Sequence, residues 1–109
     1  MNAASQAYTF LETRSPGLYQ DTIATAIAGG GIIHITPSAV LIGIPAPNRP
    51  QRLLILFACG SMPSLWSLLD HCANHYTEAS WQREFKGRST WHTYNIHHLL
   101  THRTDHNHA

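Results

Sequence analysis

The sequence predicts an α+β fold in which a mainly antiparallel central sheet of about six strands is covered by helices. Three observations lead there. Two apolar runs, Ile32–Ile35 and Ala39–Ile44, flank a proline-containing turn and are followed by a third, Arg52–Ala58. Next comes a helical stripe that starts at Gly60-Ser61 and holds Met62, Leu65, Trp66, Leu69, Cys72, Ala73 and Tyr76. From Ala79 the period becomes two, with Ala79, Trp81, Arg83 and Phe85 alternating with Ser80, Gln82 and Glu84.

In chain order, Ala7–Glu12 is rich in strand formers and stops at Ser15-Pro16-Gly17, which predicts a first strand. Ser15 is placed as an N-cap with Pro16 at the first helical position. The helix it opens carries Leu18, Tyr19, Ile23, Ala26 and Ile27 on one face and ends near Ala28 at Gly29-Gly30-Gly31. Ile32–Ile35 and Ala39–Ile44 form a hairpin across Thr36-Pro37-Ser38. The second run is apolar throughout, as expected of a central strand buried on both sides. Pro45 to Pro50 then reads as a stiff connector, because prolines interrupt a ladder. After Arg52–Ala58 and the striped helix, the period-two strand turns at Lys86-Gly87-Arg88, and Thr90–Tyr94 returns antiparallel to it. Asn95 is placed to cap a short helix from Ile96 to Leu100, followed by a polar tail.

Length supports one domain, with an ordered core over about 7–100 and a histidine-rich tail over 101–109. The 24 Leu, Ile, Val and Phe residues among 109 are enough for collapse into one core. Seven scattered Lys and Arg against six Asp and Glu give a formal charge of +1, which argues against phosphate-driven nucleic-acid binding. No apolar run reaches the roughly 18 residues of a membrane span, and residues 1–7 do not read as a secretory signal. The expected location is therefore cytoplasmic. Cys59 and Cys72 are too few for a disulfide framework or a four-cysteine zinc site.

The order of a hairpin, a third buried strand, a glycine turn, an amphipathic helix and a further hairpin resembles a shortened GNAT-type N-acetyltransferase over most of residues 7–100. The local phrases that carry the resemblance are Arg52-Leu53-Leu54-Ile55-Leu56-Phe57-Ala58-Cys59-Gly60 and Trp81-Gln82-Arg83-Glu84. It is most similar to small GNAT-like proteins of phages and prophages, some of them virion-associated, which would place the chain in the host cytoplasm or the virion. Active members of that family carry Gln/Arg-x-x-Gly-x-Gly/Ala in the turn that grips the pyrophosphate of acetyl-coenzyme A. Here the matching stretch is Ala58-Cys59-Gly60-Ser61-Met62-Pro63-Ser64, which lacks the leading Gln or Arg and loses a donor at Pro63. The resemblance also implies a carboxylate base and a tyrosine acid, yet Leu53–Phe57 holds no carboxylate, and Tyr94 or Tyr76 is the available tyrosine.

The leading expectation is a GNAT-like protein without coenzyme chemistry that binds a protein partner. Its alternative is an N-acyltransferase in which the amides of Cys59, Gly60, Ser61 and Met62 hold acetyl-coenzyme A and Tyr94 is the acid. A third is a metal-binding protein that uses His71 and His75, four apart, with His97 or His98 as a further ligand. No Glu follows His71 as a zinc-hydrolase motif requires, so solvated histidines are the plainer reading. His102, His106 and His108 are read as a tail able to take up metal adventitiously. Cys59, at a strand-to-helix junction, is a conceivable nucleophile with a lowered pKa and His34 or His92 as base, whereas Cys72 on the apolar stripe is core. Trp66 and Trp81 are expected in the core. Trp91 beside Lys86 and Arg88 is a candidate interface anchor.

Overall fold

The computed structural model describes residues 2–107, the side chains of 103–107 excepted. Four helices and five strands follow one another as α1 (Ala3–Arg14), α2 (Leu18–Ala28), β1 (Ile32–Ile35), β2 (Ala39–Ala46), β3 (Arg49–Gly60), α3 (Met62–Cys72), β4 (Glu78–Phe85), β5 (Arg88–Asn95) and α4 (Ile96–Asn107). The sheet has the order β1-β2-β3-β4-β5. All neighbouring pairs are antiparallel except β3 and β4, which the α3 crossover makes parallel.

The α+β class holds, with five strands among the described residues and not six. The missing strand is Ala7–Glu12, which lies inside α1. Asn2 caps that helix through its side-chain oxygen, which accepts from the Ser5 N–H at 2.9 Å. Ala3, Ala7 and Leu11 recur every four residues and are buried. Small alanines let the helix approach the sheet closely, and that packing overrides the strand propensity of Tyr8-Thr9-Phe10.

Other boundaries move for local reasons. Ser15 closes α1 instead of capping α2, and Gly17, left-handed at φ 82°, precedes the first residue of α2. The proline stretch is not wholly a connector. β2 runs on to Ala46 and β3 starts at Arg49, so Pro47-Asn48 alone forms the turn. Asn95 caps α4 as expected, accepting from the His98 N–H at 2.9 Å. That helix continues past Leu100 to Asn107, since no Gly or Pro interrupts it.

Each face of the sheet has its own core. On one, Val40 and Ile42 of β2 pack with Ala3, Ala7 and Ala26 under α1 and α2, with Ile33, Phe57 and Cys59 alongside. On the other, Leu41, Leu53 and Ala79 pack with Cys72, Tyr76 and Ile96 under α3 and α4, with Ile55 and Trp81 alongside. β2 is thus buried on both sides, as its unbroken apolar run predicts. Among the described residues no helix is long and apolar enough to cross a membrane.

Candidate functional site

β3 and β4 pair only from Arg52–Ile55 against Glu78–Trp81. Beyond this short ladder they part, and among the described residues no strand lies between Leu56–Gly60 of β3 and Gln82–Phe85 of β4. The separation starts at a bulge: Ile42 pairs with Phe57 and Gly43 with Ile55, so Leu56 is the extra residue on β3. An extra residue bends its strand and increases the local twist, which turns β3 away from β4. At the closed end, Glu78 accepts from Arg49 Nη2 at 3.0 Å and from Arg52 Nε at 2.9 Å, tying the start of β4 to β3.

The result is an open slot of about 980 Å³ that reaches through the sheet. From one face it is lined by Phe10 and Arg14 of α1, and from the other by Leu65, Trp66 and Leu69 of α3. Arg14 sits 4.2 Å above the Phe10 ring, which in turn lies 5.5 Å from the ring of Phe57. On the β4–β5 side the wall contains Trp81 stacked on Tyr94, with centroids 4.7 Å apart and planes 13° from parallel. Gln82, Arg83, Glu84 and Trp91 complete that wall. Exposed apolar side chains gather here: Phe10, Met62, Trp91 and Tyr94 are all exposed.

Two of the four amides expected to grip a diphosphate, those of Cys59 and Ser61, are otherwise occupied. Gly60 has φ 124°, and a Cβ there would come within 2.4 Å of the Ser38 oxygen, so this glycine serves the approach of β3 to β2. The Ser61 N–H donates to the Ser38 oxygen at 3.0 Å. Alternation along the strand turns the Cys59 N–H toward β2 as well, where Cys59 faces Val40. Of the four expected amides, those of Gly60 and Met62 remain, and Pro63 adds none. Ser61 holds the N-cap position of α3 without a side-chain bond to a backbone amide; its hydroxyl donates to Ser64 Oγ at 2.9 Å.

Other candidates are separated by the topology. Cys59 lies on the α1/α2 face, its thiol donating to the Ala3 oxygen at 3.5 Å, and burial pushes its pKa up, opposite to the expectation for a nucleophile. His34 faces Leu41, and His92 faces Trp81; both partners belong to the α3/α4 side, so neither histidine shares a face with Cys59. α3 ends at Cys72, which leaves His75 in the following turn and not on one helix with His71. His97 and His98 are on α4, and among the described residues no three His, Cys, Asp or Glu side chains come together as a metal site. The His106 side chain and His108 lie outside the described residues.

Tyr94, Met62 and Trp91 are the expected residues that the structure does bring to the slot. Reasoning from sequence missed Phe10, Arg14 and Glu84. Glu84 is the one carboxylate among the described residues lining the slot. Its period-two position placed it on an open strand, but the missing neighbour on β3 has no signature in sequence. Comparison with known proteins identifies no relative: no family model matches the chain, and neither a curated protein nor a solved structure matches it significantly.

Proposed function

We propose that this chain is a non-catalytic protein-binding module on a GNAT-like plan, of the phage or prophage type, whose slot receives an extended segment of a protein partner in the host cytoplasm or the virion. The observation that supports this is the mismatch between the slot and its end: an open gap between two unpaired strand edges stops at a turn with few free amides. An unpaired strand edge is served by another extended backbone, which supplies N–H and C=O groups in alternation. The lining of Leu65, Trp66, Trp81 and Trp91 suits the apolar side chains of such a segment. A diphosphate needs converging donors instead. Isothermal titration of the chain with acetyl-coenzyme A tests the reading, and no binding heat up to millimolar ligand is expected. A dissociation constant in the micromolar range would overturn it.

One observation favours a second reading, N-acyl transfer. Tyr94 and Glu84 both line the slot, and a pantetheine arm is extended and carries amides that a strand edge can bond. In that reading the amides of Gly60 and Met62 hold the pyrophosphate end and Tyr94 supplies the proton to the departing thiolate. The same titration decides between the two.

A further inference from the structure

We infer that the outer edge of β5 docks a second copy of this chain, joining two sheets into one of ten strands. The inference does not rest on what fills the slot. β5 is the last strand of the sheet, eight residues long, with no neighbour on its outer side among the described residues. The opposite edge, β1, has four residues. Edge strands are usually shortened, bulged, interrupted by proline or guarded by charge. β5 carries no proline, pairs with β4 without a register shift, and has Arg88 at its start as its one Lys, Arg, Asp or Glu.

The hairpin settles which backbone groups point outward. Lys86 at φ 52° and Gly87 at φ 74° form a two-residue turn with both dihedrals positive, so Phe85 and Arg88 are the hydrogen-bonded pair that closes it. Counting from there, Arg88, Thr90, His92 and Tyr94 bond to β4, and the N–H and C=O groups of Ser89, Trp91, Thr93 and Asn95 face outward. All four of those residues are exposed.

A partner strand must present the same alternation without charge repulsion, and β5 itself does so. A two-fold axis normal to the sheet keeps matching faces together and requires partners of equal parity. Centring it on Trp91 sets Trp91 against Trp91, Ser89 against Thr93, Thr90 against His92, and Arg88 against Tyr94. Each outward group then meets a complementary one, the central pair is aromatic, and the guanidinium lies opposite a ring. Moving the centre to His92 would oppose two imidazoles instead. Since Trp91 also lines the slot, the second copy closes over that wall.

Sedimentation velocity on the full chain tests this. A dimer is expected across about 1–100 µM, since specific interfaces reach micromolar or tighter affinity. Ser89→Pro, which removes an outward N–H, and Trp91→Lys, which opposes two ammonium groups, should each give a monomer with an unchanged far-UV circular dichroism spectrum. In the unaltered chain, exchange of the Ser89, Trp91 and Thr93 amides should slow as concentration rises. A wild-type monomer at about 100 µM, or a dimer that both variants retain, would overturn the proposal.

Discussion

Single residues show how thoroughly packing governs chemistry in this chain. Cys72, at 3 % exposure, is held in the α3/α4 core, and burial raises its thiol pKa to about 11 from the ordinary 9.0. The folded state therefore keeps a proton that the unfolded chain releases between pH 9 and about 11, and stability should fall across that interval. Urea denaturation at several alkaline pH values measures the decline, which Cys72→Ala should flatten. The burial of Cys72 was readable from its place on the helical stripe. The rise at Cys59 was not, because the small Ala3–Ala7 contact surface that covers its face carries no apolar bulk to advertise it.

At the level of elements, period and caps were the legible signals, and they failed where small residues did the packing. α3, the β1–β2 hairpin and the cap of α4 all follow from spacing and from Asn95. α1 was hidden because two of the three residues in its buried stripe are alanine and its exposed side holds Tyr8 and Phe10, which mimic a strand. For α4, whose polar composition makes its own propensity weak, Asn95→Ala should cost about 1 kcal/mol and increase amide exchange in the first turn. Thermal unfolding with exchange mass spectrometry reads both effects. Retained protection at His98 would show that tertiary contacts, not the cap, start the helix.

For the molecule as a whole, the sheet is a partition between two cores, and the slot is the place where the partition is incomplete. Strand order is not encoded in any local window, so the parallel β3–β4 pair and the gap beyond it were out of reach of the sequence. The short β3–β4 ladder is secured by Glu78, bonded to both Arg49 and Arg52. Glu78→Ala should lower stability by about 1 kcal/mol, in keeping with a partly exposed pair, and loosen the ladder below it. Faster exchange of the Ser80 amide, which faces β3, without change on β1 and β2 is the expected signature.

The supernumerary Leu56 has one more effect. By displacing the frame of β3 by a single position, it lets the same strand send Leu53 and Ile55 downward and Phe57 and Cys59 upward, so one ribbon of backbone belongs to both interiors. Removing that residue would rephase one half of the strand against the other, and straightening the ribbon would bring its free end back beside β4. Closing the opening and dismantling an interior are, for this protein, the same one-residue event.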